Sequence, residues 1–517
     1  MKKLNCVFTG VLLALLSFTS LAKVNSEKIE RVIENSMARF NVPGLAIAIV
    51  EDNEVIMAKG FGIKHLDTGE KVNKNTLFGI ASNTKAFTVA AIAILVDQGK
   101  LSWDDKVIDH LPEFRLYDAY VTREMTIRDL LSHRSGLGLG AGDLMIWPDT
   151  NKKINDILDS LRYLKPASSF RSKYAYNNLM FVTAGEVVAR VSGMSWQDFT
   201  EKNILQPLKM NTSRAGFSRI AKSNKNWATG HIPLEGKLTP FFVNYLEDFR
   251  GAGAIASNVV DMSQWLKMQL AQGEMADGTS LFTKKQQLEM WHPHITKKAS
   301  KKGFVSHRQQ FRGYGLGWSI EDYQGYKKVG HGGGILGMVS QVTLIPEKKL
   351  GIVILSNQQA FSALSAITHE VLEDVLQLKD KDKDWVDVLA KKHFQKKEKA
   401  YKESELAKVV NYQASLPLSS YTGSFIDDWY GDVNIEEKSG ELLIDFTHTE
   451  RLKGVLEHHT GNTFIVRWNE KLLEADAFIH FDMSAKNQVK NIKLEAVAPS
   501  VTDFSFDFHN LNLKQKL

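Results

Sequence analysis

Apolar residues recur at helical spacing after residue 84. In TKAFTVAAIAILVDQGK the side chains Phe87, Ala90, Ala91, Ile94 and Leu95 share one face and Gly99 supplies a stop, which predicts a buried helix. A second helical run, Leu179 to Val191, closes at Gly193. Two strand-like runs, Met338 to Ile345 and Leu350 to Leu355, are joined at Pro346-Glu347. From about Tyr412 the period changes to two. GDVNIEE, ELLIDFTH, TFIVRW, AFIHFDM, VKNIKLEAV and TDFSFDF are separated by turn residues such as Lys438-Ser439-Gly440 and Thr460-Gly461-Asn462, and so predict a small antiparallel barrel or sandwich over residues 412–517. Between the two regimes, Lys379 to Lys408 alternates in charge and carries only sparse apolar residues (Trp385, Val388, Leu389, Phe394), the pattern of a solvated helical connector over residues 379–411.

The amino-terminal stretch changes the picture of where the protein works. MKKLNCVFTGVLLALLSFTSLAKV has a basic start, an apolar run from Val11 to Phe18 and a small-residue end at Ser20-Leu21-Ala22, the form of a secretory signal peptide over residues 1–22. Cys6, the only cysteine, lies inside it and ahead of the apolar run, where a lipid anchor would not be attached. The mature chain is therefore expected in the periplasm or outside the cell, free of disulfides and stabilised by core burial alone. Removing Lys2 and Lys3 lowers the formal charge from +6 to +4, too mild a balance to call for a nucleic-acid partner. No later run approaches the ~18 apolar residues of a membrane span, so no stable membrane anchor is expected. Nothing in the sequence indicates an oligomeric state.

Three short stretches carry candidate chemistry. In IASNTKAF, Ser82 precedes Lys85 by three residues where the apolar helix begins, placing a hydroxyl beside an amine at the positive end of the helix dipole. A serine hydroxyl needs a base, and a lysine serves as one only if burial or neighbouring cations lower its pKa from about 10.4. The plainer alternative is a helix-capping serine and a surface lysine. Tyr176-Asn177-Asn178 stand ahead of the second helix; a tyrosine beside Lys85 would complete a coupled Ser-Lys-Tyr system, while a core tyrosine and a turn asparagine are the ordinary reading. His331 is followed by Gly332, Gly333 and Gly334, which permit close backbone approach and N–H groups aimed at a developing oxyanion. A flexible hinge is the alternative; a phosphate loop would require a G-K-[ST] or Rossmann spacing that does not follow.

Taken in order, S-x-x-K at Ser82 to Lys85, Y-x-N at Tyr176 to Asn178 and H-x-G at His331 to Gly333 resemble the serine β-lactamase and penicillin-binding-protein superfamily in its class C-like branch. LLSHRSGL, GAGAIASNVVDMSQW and IPEKKLGIVILSN agree, and the likeness runs from about Ser26 to Leu378 within a domain placed at residues 23–378. The resemblance implies an α/β-plus-α fold: an antiparallel sheet of five or more strands flanked by terminal helices, with a mostly helical lobe and the site between them. It implies Ser82 as the acylated nucleophile, Lys85 as the activating amine and Tyr176 as general base and leaving-group acid. Asn178, His331 and Gly333 would meet the substrate, and the backbone N–H groups of Ser82 and Gly334 would form the oxyanion hole. No metal or organic cofactor is called for, and the partner is a small-molecule or short-peptide substrate. His133, in LLSHRSGL, reads as a structural residue. The tail from Tyr412 to Phe508 resembles the lipocalin-like β domain that follows some of these hydrolases, and its lack of motif residues predicts an independently folding unit that tunes substrate choice.

Penicillin-recognising members usually carry a lysine where this chain has His331. A histidine with an ordinary pKa near 6.5 is mostly neutral at pH 7, which favours a peptidase or esterase of the D-aminopeptidase and esterase branches over an efficient β-lactamase. A penicillin-binding or sensor-type protein that acylates with slow turnover, or a genuine β-lactamase, is the alternative. The same reasoning expects His331 to be cationic below roughly pH 6 and to make a preference for acidic substrates fade as pH rises.

Overall fold

The apolar runs at residues 44–51 and 350–356 lie side by side in an antiparallel sheet, as the second and third of its eight strands. The computed structural model describes residues 25–234, 236–242, 246–299, 308–378, 383–406 and 414–516. The expected signal segment and both ends of the expected connector lie outside the described residues. The sheet contains β1 (Gly44–Glu51), β2 (Glu54–Gly62), β3 (Ile295–Lys297), β4 (Arg312–Tyr314), β5 (Ser319–Tyr323), β6 (Tyr326–Ile335), β7 (Met338–Ile345) and β8 (Leu350–Ser356), in spatial order β2-β1-β8-β7-β6-β5-β4-β3.

Both faces of the sheet are covered at β1, which is why GLAIAIVE does not alternate. Leu45, Ile47 and Ile49 pack with two terminal helices, α1 (Ser26–Phe40) and α4 (Phe361–Leu376), whereas Ala46, Ala48 and Val50 face the helical lobe. In that lobe α2 (Thr84–Asp97) is buried from Thr84 to Leu95, with Phe87 stacked on Trp265 at 3.9 Å, and α3 (Asn178–Ser192) ends at Gly193 in the left-handed region. The expected α/β-plus-α architecture of the β-lactamase and transpeptidase type is the one observed.

After a charged helix, α5 (Trp385–Leu406), eight strands from Gly423 to Gln515 close into a barrel; Phe425 on the first strand pairs with Gln515 on the last. The expected all-β unit is thus a closed barrel. Two features differ from expectation. The start of α5 is not solvated: Trp385, Val386 and Ala390 are buried against α1 and α4, and Trp385 stacks on His369 at 4.4 Å. TDFSFDF is not a strand. It forms a turn-rich segment whose Phe506 and Phe508 are buried, while Phe504 reaches into the other domain's cleft. Here the period-two pattern serves as an anchor rather than a ladder.

That segment also ties the tail to the helical lobe, through contacts that the reading of an independently folding tail did not include. Asp507 accepts from the backbone N–H of Gly142 at 2.7 Å, Ser505 donates to Asp143 at 2.9 Å, and one apolar cluster continues from the helical lobe into the barrel interior. Among the described residues no helix is long and apolar enough to cross a membrane.

Candidate active site

The chain enters the site from a two-residue strand, Phe78–Gly79, paired with Ala256–Ser257. Ala81 then takes φ = 47°, a left-handed conformation strained for a residue with a Cβ, and the 3-10 turn Ala81–Asn83 leads into α2. This turn is tied to the sheet: Ser340 Oγ donates to the carbonyl of Ile80 at 2.6 Å and receives from Asn83 Nδ2 at 2.7 Å. Ser82 does not cap α2, since its position lies inside the turn and no side-chain cap bond is made there.

Lys85, in the first turn of α2, is completely buried. Its Nζ lies 2.7 Å from Asn178 Oδ1, 2.8 Å from the carbonyl oxygen of Ala252 and 3.1 Å from Ser82 Oγ. The faces of Tyr176 and Phe181 stand 4.8 and 5.4 Å from it. Burial lowers its pKa to about 7, against an opposing pull from Asp143.

Tyr176 is hydrogen-bonded to Ser82, a contact that favours the phenolate, but burial outweighs it and pushes the phenol well above its ordinary value. Tyr176 is therefore held as the neutral phenol at neutral pH, which does not favour the base role expected of it. His133 lies 4.3 Å from the Tyr176 ring, accepts from the backbone N–H of Asn177 at 3.1 Å and is kept neutral by burial. These contacts fit the structural role read for it.

The glycine strand is β6. A Cβ on Gly333 would fall 2.2 Å from the Ile80 carbonyl oxygen and 3.0 Å from the Ser82 nitrogen, so only glycine lets the strand meet the Ser82 turn. The two-residue hairpin closes at Ile335 and Met338, which makes Gly334 opposite Val339 a non-hydrogen-bonded pair. Its N–H points away from β7, and β5 pairs with β6 only as far as Gly330, so this N–H opens toward the cleft.

His331 corrects the expectation of a titrating group. The buried ring donates from Nδ1 to the Gly332 carbonyl at 2.6 Å and accepts at Nε2 from Tyr314 Oη at 2.9 Å. Burial, then the Lys85 charge, push its pKa down to about 3, so it stays neutral between pH 5 and 8.

Several site residues had no signal in the sequence. Asp143 follows Gly142, whose φ of 81° turns the chain inward, and its Oδ2 accepts from Asn178 Nδ2 at 2.7 Å and from Ser505 Oγ at 2.9 Å. Burial raises its pKa to about 7. A hydrogen-bonded chain thus runs from the barrel through Ser505, Asp143 and Asn178 to Lys85 and Ser82. The cavity above them, of about 290 Å³, is lined among others by Ser82, Tyr176, Lys297, His331, Asp503 and Phe504.

Comparisons with known proteins agree with this geometry. A family model described as Beta-lactamase matches residues 29–377, and one described as a domain of unknown function, DUF3471, matches residues 407–515. The chain is 28% identical over 444 residues to the unguisins hydrolase ungD' of Aspergillus campestris, covering 80% of this chain and 78% of that protein. It is 26% identical to protein flp of Staphylococcus aureus, covering 66% and 64% of the two chains. In fold it is similar to the octameric penicillin-binding protein homologue from Pyrococcus abyssi, with a TM-score of 0.61, 23% identity and coverage of 95% and 99%. A class C β-lactamase from Rhodobacter sphaeroides follows at 0.54, with 18% identity and coverage of 68% and 98%. With its model matched over two thirds of the sequence and its sheet, helical lobe and motif residues assembled around one cleft, the chain belongs to the Beta-lactamase family.

Proposed function

We propose that this protein is an exported serine hydrolase that cleaves an amide or ester through an acyl-Ser82 intermediate, as a peptidase or esterase. The observation that carries this reading is the set of contacts at Lys85. A neutral amine has two N–H donors and one lone pair. Asn178 Oδ1 and the Ala252 carbonyl take the two donors at 2.7 and 2.8 Å, leaving the lone pair for the hydroxyl of Ser82 at 3.1 Å. A pKa of about 7 makes that neutral form available at neutral pH.

In acylation, Ser82 Oγ bonds to the substrate carbonyl carbon as its proton passes to Lys85 Nζ. The oxyanion is received by the backbone N–H groups of Ser82 and Gly334, a kind of contact worth roughly 10²–10³ in rate per donor. The bond to the leaving group then breaks, and the proton reaches the departing nitrogen or oxygen through the neutral phenol of Tyr176. Water repeats the sequence in reverse roles and frees Ser82. Asn178 positions Lys85. Neutral His331 and Gly333 shape the cleft wall, and the absence of a permanent cation at His331 supports a peptidase or esterase over a β-lactamase. The leader-like residues 1–22 support export.

The test uses the mature protein with a fluorophosphonate probe and a panel of short-chain esters, D- and L-amino-acid amides and a chromogenic β-lactam. Labelling at Ser82 that vanishes in a folded Ser82→Ala variant, with turnover of esters or amides exceeding that of the β-lactam, is expected. Equal labelling of variant and parent would overturn the assignment.

A further inference from the structure

The cavity holds a cation that the acylation steps do not use. Lys297, the last residue of β3, is partly buried and lines the same cavity as Ser82. Its Nζ stands 4.5 Å from the face of Tyr174 and 5.7 Å from that of Tyr314, and 3.4 Å from Ser319 Oγ. Among the described residues no carboxylate lies within 4.0 Å of it, and residues 300–307 contain no Asp or Glu. Glu321, the nearby acid, is already engaged by Lys328 at 2.9 Å, Arg312 at 3.1 Å and Gln309 at 2.7 Å.

Even a partly buried ammonium without a counter-ion is costly, and aromatic faces offset only part of that cost. An incoming anion would offset the remainder and gain a charge-assisted hydrogen bond. Burial and the neighbouring Arg312 lower the pKa of Lys297 only to about 8, so the ammonium predominates at pH 7. Neutral His331 cannot supply this charge; Tyr314, which bonds His331, is also one of the two rings that Lys297 faces.

We propose that Lys297, with Ser319 beside it, is the carboxylate-recognition subsite of the cavity, and that the favoured substrates are amides or esters carrying a free carboxylate near the scissile bond. This rests on reading the cavity as an acyl-transfer site. Asp503, which lines the same cavity from the barrel, is the competing charge: if it governed selection, an amine-bearing substrate would be preferred.

The mature full-length protein is assayed at pH 7 with two matched pairs, 3-carboxyphenyl acetate against phenyl acetate and monophenyl adipate against phenyl hexanoate, and with phenyl 6-aminohexanoate as the cationic counterpart. In at least one pair, kcat/KM for the carboxylate ester should exceed that of its neutral partner by roughly 10–100-fold, the range for a hydrogen bond to a charged group. Lys297→Met should bring the ratio close to one, and Lys297→Arg should retain most of it. Because both substrates of a pair meet the same variant, a general loss of folding or of Ser82 reactivity cancels in the ratio. A ratio near one in both pairs, a ratio that survives Lys297→Met, or a preference for the amine ester would overturn the proposal. No turnover of any ester by the parent, together with no labelling of Ser82, would instead overturn the acyl-transfer reading and the inference with it.

Discussion

A lysine works as a base at neutral pH only where its cation is disfavoured by the right amount, and Lys85 is set between two opposing influences. Complete burial disfavours the ammonium, while the carboxylate of Asp143 favours it. Asp143→Asn keeps an acceptor for Asn178 and Ser505 but removes the charge, so the acidic limb of the kcat/KM profile should move to lower pH by about one pH unit, the size expected when a nearby opposite charge is lost. A limb left in place would show that the two groups are not coupled. Stability gives a second readout. Burial raises the Asp143 pKa from 3.8 to about 7, so its contribution is fully present below pH 3.8 and is lost as pH rises toward 7. The parent should therefore lose stability relative to Asp143→Asn across that interval in chemical denaturation. Ser82, Lys85, Tyr176, Asn178 and the glycines were legible because nucleophile, base and close-approach backbone need fixed residue types at short spacing. Asp143 was not, because a single aspartate after a glycine has no period; only the fold brings it to Asn178. Nor was the neutrality of His331 legible, since its reference pKa says nothing about burial.

Elements with a long periodic run were read correctly. Met338–Ile345 is the strand its sequence predicted, and α3 differs from the predicted run by one residue at each end. Stretches whose packing is set by distant parts of the chain were misread. The charged start of α5 hides a packed Trp385, and the alternating Phe504, Ser505 and Phe506 form an anchor between domains rather than a strand. Ser505→Ala tests that anchor. It removes a donor from a buried carboxylate whose Oδ1 already lacks a hydrogen-bond partner, which should cost about 1–3 kcal/mol in urea denaturation. A change within a few tenths of a kcal/mol would mean that the segment is not seated on the catalytic lobe.

At the scale of the molecule, the Beta-lactamase domain carries Ser82, Lys85 and the glycine strand, and the barrel supplies one wall of the cavity and the far end of the hydrogen-bonded chain. Two domains were legible from the change of hydrophobic period near Tyr412 and from the charged stretch before it. Their interlocking was not, because Asp143 and Ser505 are 362 residues apart and nothing local marks the contact. Everything proposed about the reaction depends on Lys85 being the base that deprotonates Ser82. The most direct test follows the second-order rate of Ser82 labelling by a fluorophosphonate from pH 5 to 10 on the full mature chain, with Ser82→Ala as the blank. The rate should climb through a midpoint near 7, an apparent value belonging to the coupled Lys85 and Asp143 pair, and then level off. A rate that keeps rising toward pH 10, as an unperturbed lysine would give, would contradict the account.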